Sequence, residues 1–246
     1  MKLLRYKTDK PEYRGILDGD TVKRINGSFF LNYGIGDDKE PLSEIIFLPP
    51  VLSGKIIGLR ANYDKTVSSP LCFMKPRSSL CAHKDKIIIP SFLEKVKIEG
   101  ELAVVIGKKC RNVEERHALQ HVLGYTVSND ITGFSPDFQE SFTCGKWFDT
   151  FTPLGPVIDT TTSWENLEIT TRINCKTVQH GNSSDMTFKV PYLISYLSKI
   201  ITLEPGDVIL TGTPSAAVEI YDGDEIQIEI ENIGILENTA EAEIVK

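Results

Sequence analysis

The chain has 246 residues and a formal net charge of −7, with 41% hydrophobic and 25% charged residues. This length can bury one large core without disulfides or structural metals. The negative charge argues against nucleic acid or an anionic membrane as the main partner, so anionic substrates would need specific cationic side chains. No apolar run reaches the roughly 18 residues of a membrane span, and no apolar signal region follows the first residues, which predicts a cytoplasmic protein.

The first part of the chain is predicted to form a small β-rich unit. Its short apolar stretches are broken by ILDGDTV and RINGSFF, in which Asp-Gly and Asn-Gly favour tight hairpin turns. The segment FLPPVLSG then closes this unit. We therefore predict a small N-terminal domain over residues 1–52 and a larger domain over residues 53–246.

The larger domain is predicted to be mostly β. Its strand-like runs are KIIGL, KIIIP, ELAVVIG, VLGYTVS, LGPVI, LEITTRIN, DVILTG and EIQIEIENIG. Helices are predicted at residues 113–122 and 191–200, and the second opens on a proline suited to the first turn. The pattern predicts an α+β fold dominated by strands.

Two acids precede an apolar run in KIEGELAVVIG, residues 97–107. Alternate side chains of a strand share a face, so Glu99 and Glu101 would project to the same side. Buried, the two carboxylates would require a proton or a cation, whereas a strand end in water would require neither. Asp130 follows the strand-like run VLGYTVS, although an aspartate there is also a common turn residue. Together, the three carboxylates suit Mg²⁺ or Mn²⁺.

Five sequence motifs follow one another over nearly the whole chain. They are LPPVLSGKIIGLRANY, IEGELAVVIGKK, GYTVSND, GKWFDTFTPLGP and LEPGDVILTGTP. Their order and spacing resemble those of the fumarylacetoacetate hydrolase superfamily, in particular its acylpyruvate hydrolase and 2-oxo acid isomerase or decarboxylase types. The resemblance implies a β-roll catalytic domain, a homodimer, and Mg²⁺ or Mn²⁺ held by Glu99, Glu101 and Asp130. It also implies a substrate with a 2-oxo acid or β-dicarbonyl unit that chelates the ion.

The same resemblance assigns roles to further residues. Lys146 of GKWFD matches a lysine beside the metal, where an ammonium stabilises developing oxyanion charge; without the family it is an ordinary surface lysine. Gly212 and Thr213 of TGTP match substrate-contacting positions, although the sequence also suits a plain turn after a strand. Gln139 and Lys75 match a substrate-side glutamine and lysine of the family.

Three departures from the family pattern concern the substrate side. Hydrolytic relatives carry NYxxHxxE, whose histidine and glutamate activate water on a mobile lid. Here NYDKTVSS places Thr66 and Ser69 at those positions, and neither is a general base near neutral pH. His83 is a nearby substitute, although a lone loop histidine is more often a surface residue. NDITGFSPDFQ lacks the family's arginine, which suggests a less anionic substrate tail and an apolar wall at Phe134, and TGTPSAAVEI lacks the usual glycine turn.

These observations predict a metal-dependent enzyme acting on a 2-oxo acid or β-dicarbonyl compound through a stabilised enolate. Isomerase or decarboxylase-type lyase chemistry needs no activated water, so it fits the missing dyad. The alternative is C–C bond hydrolysis of the acylpyruvate or fumarylacetoacetate type, with water activated by Lys146 or the metal. A third alternative is a non-catalytic binding protein on the same fold. Alanine at any of the three acids is expected to abolish ion binding with little loss of fold.

Overall fold

The computed structural model describes residues 1–9, 11–138, 141 and 143–244. Strands dominate these residues, which confirms the predicted mostly β, α+β class. Their only α-helix, α1, spans Val190–Ile200 and has a proline in its first turn, as predicted. The other predicted helix is instead a 3₁₀ helix over Glu115–His121, because only Ala118 is buried there and no apolar face supports a longer helix.

The strands are numbered here in chain order. They are Lys2–Lys7 (β1), Glu12–Asp18 (β2), Thr21–Gly27 (β3), Tyr33–Pro41 (β4), Ile46–Leu48 (β5), Ile56–Arg60 (β6), Leu71–Lys75 (β7), Leu80–Cys81 (β8), Lys86–Ile89 (β9), Lys95–Ile98 (β10), Gly100–Ile106 (β11), Val122–Asn129 (β12), Thr132–Phe134 (β13), Thr152–Asp159 (β14), Glu168–Ile173 (β15), Lys176–Asn182 (β16), Val208–Leu210 (β17), Val218–Glu219 (β18), Glu225–Ile230 (β19) and Gly234–Ala242 (β20). Further 3₁₀ turns lie at Leu42–Glu44, Arg77–Ser79, Pro136–Phe138, Cys144–Lys146 and Ser183–Asp185. Each strand-like run named from the sequence contributes one of these strands.

Three sheets make up the described fold. The main sheet has the order β4-β3-β2-β1-β14-β12-β11-β17-β6-β7, with β5 paired to β1 and β8 to β14. A second sheet has the order β16-β15-β19-β20-β9, and a third the order β13-β10-β18. The N-terminal strands join the main sheet because β1 pairs with β14. The division of the chain after residue 52 stays a prediction. No helix of the described residues is long and apolar enough to span a bilayer.

Of the two hairpin turns predicted from Asp-Gly and Asn-Gly in the N-terminal strands, one is present as a two-residue turn. The predicted Asp-Gly turn connects β2 to β3, with Gly19 at a φ of 59°. The Asn-Gly pair ends β3 with Gly27 at a φ of 115°, but a longer connection, residues 28–32, separates it from β4. The second predicted turn is therefore present as a strand end rather than as a two-residue hairpin.

Strand β11 is buried along its whole length and sits between two apolar cores. Leu102 and Val104 face the core shared with α1 and the second sheet, whereas Ala103 and Val105 face the core shared with β1 and β14. A one-residue slip would exchange these two sets, so the register of β11 is strongly fixed. At Gly100 a Cβ atom would lie 2.3 Å from Thr171 Oγ1, so the absence of a side chain permits close packing on the second sheet.

Candidate active site

Glu99 occupies the single residue between β10 and β11, where the chain passes from the three-stranded sheet to the main sheet. The Asp130 N–H donates to the Glu99 carbonyl at 2.9 Å, and the Glu99 N–H donates to Asn129 Oδ1 at 3.2 Å. The strand expected to run through both acids is therefore interrupted at Glu99, although the carboxylates of Glu99 and Glu101 still project to the same site, as expected. At this change of sheet, Glu99 lies beside the end of β12, where Asp130 begins the next segment.

The three acids predicted as metal ligands converge. One carboxylate oxygen from each of Glu99, Glu101 and Asp130 can be chosen so that all three lie within 4.8 Å of one another. Glu101 and Asp130 are each only 1% exposed, so the alternative of a strand end in water is wrong. Because Mg²⁺ and Mn²⁺ prefer carboxylate oxygens, this donor set fits a hard divalent cation.

Two buried lysines complete an acid–lysine cluster of Glu99, Glu101, Asp130, Lys75 and Lys146. Lys146 Nζ donates to Asp130 Oδ2 at 2.5 Å and to Glu99 Oε2 at 3.1 Å. Lys75 Nζ donates to Asp130 Oδ1 at 2.6 Å and also to a backbone carbonyl. Lys146 is therefore no surface residue, and the contacts of Lys75 are to a carboxylate that could hold the ion. With all five groups ionised, the three carboxylates and two ammonium groups carry one net negative charge, which favours a bound cation.

The pKa values in this cluster move in opposite directions. Burial, together with the nearby carboxylates, raises the pKa of Glu101 well above its usual range, and burial also raises that of Glu99. Burial opposes ionisation of Asp130 too, but the ammonium groups of Lys146 and Lys75 hold its pKa below the usual value. Burial lowers the pKa of Lys75 to about 8. Without a cation, Glu101 is thus the carboxylate that most readily takes up a proton.

The TGTP turn contributes a backbone donor to the cluster. The Gly212 N–H donates to Glu101 Oε2 at 2.7 Å, so this amide orients a candidate metal ligand. Gly212 has a φ of 91°, and a Cβ atom there would lie 2.9 Å from Asn62 Cβ, which explains the glycine. Thr213 lies beside it, and its Oγ1 accepts from Gln179 Nε2 at 3.3 Å. Substrate contacts of Gly212 and Thr213 stay predictions.

A cavity of about 450 Å³ adjoins the cluster. Glu99, Asp130 and Lys146 line one part of its wall, and Thr213 and Phe134 line another. The apolar wall expected at Phe134 is present. The predicted contact residue Gln139 lies outside the described residues.

Among the polar wall residues that the sequence analysis missed, three are close together in the chain, namely Arg60, Tyr63 and Asp64. They lie at the end of β6 and in the first part of residues 61–70, which we call the rim segment. Tyr63 Oη is buried and has no hydrogen-bond partner among the described residues. Arg60 is one of the lining residues of the cavity, although the window after Asp130 lacks an arginine. These three polar residues are visible in LRANYDKT, but only the absence of the family's histidine and glutamate was considered there.

Thr66 and Ser69, at the positions of the missing dyad, cannot act as general bases. Thr66 and Ser69 are exposed, and neither is part of the cavity wall. His83 does not replace them, because its Nδ1 accepts from the Glu237 N–H at 3.1 Å and its ring packs on Phe47. Burial lowers the pKa of His83 to about 4. No histidine lines the described cavity wall.

Comparison with known proteins decides the family. The family described as fumarylacetoacetate (FAA) hydrolase, C-terminal, matches residues 55–241. The chain belongs to the fumarylacetoacetate hydrolase family. Residues 1–50 match a second family, described as Rv2993c-like, N-terminal. The protein is therefore an enzyme of this family, and the alternative of a non-catalytic binding protein is set aside.

The names of similar proteins denote different reactions, namely tautomerisation, isomerisation and hydrolysis. The human protein "Oxaloacetate tautomerase FAHD2A, mitochondrial" is 38% identical over 222 residues, which are 80% of this chain and 70% of that protein. A 5-carboxymethyl-2-hydroxymuconate delta-isomerase from Mycobacterium smegmatis is 33% identical with a TM-score of 0.93, covering 99% of this chain and 100% of the other. A maleylpyruvate hydrolase from Sphingobium sp. SYK-6, in complex with manganese (II) ion and pyruvate, is 25% identical with a TM-score of 0.86 and the same coverages, 99% and 100%.

Proposed function

We propose that the protein is a divalent-metal-dependent isomerase that interconverts the keto and enol forms of a 2-oxo acid. The observation that carries this proposal is the pairing of a complete acid–lysine cluster with a rim segment whose Thr66 and Ser69 cannot activate water. Keto–enol exchange requires stabilisation of an enolate and movement of one proton, but no nucleophilic water. The names of the human tautomerase and the mycobacterial isomerase agree with this class of reaction.

Each part of the site has a role in this proposal. Glu99, Glu101 and Asp130 would hold Mg²⁺ or Mn²⁺, which would supply Lewis-acid stabilisation of enolate charge. Lys146 is the proposed catalytic cation, since its ammonium lines the cavity and adds positive charge where the oxyanion develops. Thr213 is proposed to contact the substrate carboxylate. The manganese in the maleylpyruvate hydrolase supports an ion of this type.

We also propose that the substrate carries a second carboxylate, which binds in the same cavity. Arg60 lies on the wall, and a guanidinium binds a carboxylate through two parallel hydrogen bonds. This favours a dicarboxylic 2-oxo acid such as oxaloacetate over a purely apolar tail. The earlier expectation of a less anionic tail considered only the segment after Asp130.

Proton exchange at carbon tests the proposed activity directly. The purified protein with Mg²⁺ or Mn²⁺ is incubated with oxaloacetate or pyruvate in D₂O, and deuterium at C3 is followed by NMR. Wild type should exchange C3 protons well above the rate of buffer plus metal, and Glu101→Gln should remove that excess. Exchange at the buffer rate, with every metal tried, would rule the isomerase proposal out.

Hydrolysis is the second candidate, and the name of the maleylpyruvate hydrolase favours it. In that case Lys146 or the metal would have to activate the attacking water. Mass analysis of the products from acylpyruvates separates the two candidates, because hydrolysis adds water across a C–C bond and isomerisation leaves the mass unchanged. Loss of CO₂ from oxaloacetate would indicate decarboxylase-type lyase chemistry.

We also propose that two copies associate along the edge of the main sheet at β7. Leu71, Met74 and Trp147 expose 46%, 47% and 50% of their surface there. An edge strand with exposed apolar side chains is a common site of association. Light scattering should report twice the chain mass for wild type and a single chain for Met74→Glu. Ile35→Glu, on the opposite edge strand β4, is the matched control and should stay dimeric, and a monomeric wild type would contradict this proposal.

A further inference from the structure

We propose that Asp64 is the catalytic base that removes and returns the C3 proton of the 2-oxo acid, taking the place of the family's histidine–glutamate dyad. This inference rests on the proposed isomerase function and adds the residue that moves the proton. Asp64 lies on the wall of the same cavity as Glu99, Asp130 and Lys146. It precedes, by two residues, the position where hydrolytic relatives carry histidine.

The substituted residue itself orients this carboxylate. The Thr66 N–H donates to Asp64 Oδ1 at 2.9 Å, and the Thr66 hydroxyl donates to the same oxygen at 2.7 Å. The other oxygen, Oδ2, has no hydrogen-bond partner among the described residues. One oxygen is thus fixed by the turn while the second can accept a proton. Thr66 cannot act as a base, but it holds one in place.

The backbone beneath Asp64 is also fixed. The Thr187 hydroxyl donates to the Asp64 carbonyl at 3.0 Å, and the Thr187 N–H donates to the Asn62 carbonyl at 2.6 Å. The Asn62 side chain accepts from the Phe188 N–H at 2.9 Å and donates to the Thr211 carbonyl at 2.8 Å. A base anchored in this way needs little reorganisation to reach a substrate atom in the cavity.

The remaining titratable wall residues do not suit the task. Arg60 cannot lose its proton in a protein. Burial raises the pKa of Tyr63, so its hydroxyl stays protonated, and Lys146 Nζ already donates to Asp130 Oδ2 and Glu99 Oε2. Glu99 and Asp130 belong to the ligand set. Asp64 is the one wall carboxylate outside that set among the described residues.

The proton balance of the step is complete without a co-reactant. Asp64 Oδ2 takes the proton from C3, the electron pair of the C–H bond forms the C2–C3 π bond, and the carbonyl π pair moves to O2. Addition of a proton from solvent at O2 gives the enol, and Asp64 returns its proton to solvent. Hydrogen bonds from Thr66 lower the pKa of Asp64, so this carboxylate is ionised near neutral pH and can accept the C3 proton.

Deuterium exchange at C3 tests the assignment with three variants. Asp64→Asn should lower exchange about 100-fold or more, within the usual range for general-base catalysis. Asp64→Ala should show the same loss, and added formate should restore exchange in a saturable way, which a structural defect would not allow. Asp159 makes the same turn, accepting from the Thr161 N–H at 2.7 Å and the Thr161 hydroxyl at 2.9 Å, and Asp159→Asn should leave exchange unchanged.

Calorimetry with Mn²⁺ separates a proton-transfer role from damage to the ion site. Asp64→Asn should bind Mn²⁺ within about twofold of wild type, because the anchor and the ligands are intact. Exchange in Asp64→Asn within threefold of wild type would overturn the assignment of Asp64 while leaving the isomerase proposal in place. If wild type itself showed no exchange above buffer, the proposed function would fail and the Asp64 assignment would fail with it.

Discussion

The acid–lysine cluster and the rim segment both bring carboxylates to the cavity, but in opposite physical settings. Glu101 is 1% exposed, and burial raises its pKa, whereas Asp64 is exposed and hydrogen bonds from Thr66 lower its pKa. The buried acids need lysines or a cation as compensation, so the members of the cluster depend on one another. The rim acid needs no such compensation. Within this fold, changes of reaction are therefore expected at the rim rather than in the cluster.

The largest effect is expected for Asp130→Ala, which breaks the cluster. This change leaves the buried ammonium groups of Lys75 and Lys146 without their shared carboxylate. Loss of one partner of a buried ion pair typically costs about 3–5 kcal/mol, so the metal-free protein should be strongly destabilised as well as unable to bind Mn²⁺. The structure thus changes the expectation of little loss of fold at this position. Urea denaturation in EDTA measures the effect.

Glu99→Ala is the comparison for that experiment. The side chain of Glu99 is 23% exposed and forms an ion pair with Lys146 alone among the described residues. Its loss should therefore destabilise the protein less than the loss of Asp130, while still weakening Mn²⁺ binding. Equal destabilisation by the two variants would mean that the second lysine of Asp130 contributes nothing measurable.

The next largest effect is expected when a dyad is installed on the rim by combining Thr66→His with Ser69→Glu. Hydrolysis of an acylpyruvate should rise at least tenfold, because general-base assistance is typically worth about 10²–10⁴-fold. Deuterium exchange should fall at the same time, since the hydroxyl that holds Asp64 is lost. Product analysis by mass follows the first quantity and NMR the second. Thr66→His alone is the control, and a double variant that gains no hydrolysis over it would show that the rim does not decide the reaction.

A smaller effect concerns the pH dependence of ion binding to the cluster. The raised pKa of Glu101 means that the metal-free protein holds a proton there at pH values where a free glutamate is ionised. Ion binding must release that proton, so apparent Mn²⁺ affinity should rise with pH, by at most about tenfold per pH unit for one proton. The rise should end once pH exceeds the raised pKa. Calorimetry in two buffers of different ionisation enthalpy counts the released proton, and a count near zero would contradict the assigned state of Glu101.

The smallest effect is expected for Thr66→Val, which removes one hydroxyl from the rim. An exposed hydrogen bond contributes about 1 kcal/mol or less, so Asp64 should be less well held and C3 exchange should fall only a few-fold. Thr161→Val removes the equivalent hydroxyl of the Asp159 turn and should leave exchange unchanged. A similar decrease in both variants would indicate a general loss of stability rather than a role at the cavity.

The sequence predicted those parts of the structure that depend on local pattern. The continuous apolar run of β11 and the proline at the start of α1 placed these elements correctly, and the family motifs grouped Glu99, Glu101 and Asp130 as one ligand set. Burial of Glu101 could not be read from the sequence, because its carboxylate meets the Gly212 N–H of the TGTP turn, which lies 111 residues away in the chain. The interruption of the strand at Glu99 reflects a change of sheet between β10 and β11, and strand alternation within one segment contains no information about it.

The rim was predicted least well. Thr66 and Ser69 were recognised as unable to replace the dyad, but the position of Asp64 on the cavity wall depends on contacts with Thr187 and Phe188, which are more than 120 residues away in the chain. The 3₁₀ helix at Glu115–His121 was overestimated for a related reason. Helical periodicity was present there, but the tertiary packing that would bury a longer helix was not.

Asn62 has a consequence for the timing of catalysis. Its side chain follows β6 and is hydrogen-bonded to Thr211, which follows β17, and to Phe188, which precedes α1. Displacement of the rim would have to break these bonds together, so the amide hydrogen of Phe188 should exchange with solvent slowly, as in a segment that opens only with the surrounding structure. If the backbone at the cavity entrance stays fixed during turnover, which takes milliseconds in an ordinary enzyme, no lid has to open or close. Substrate entry would then be set by diffusion into an open cavity, and the rate of turnover by the proton transfer itself.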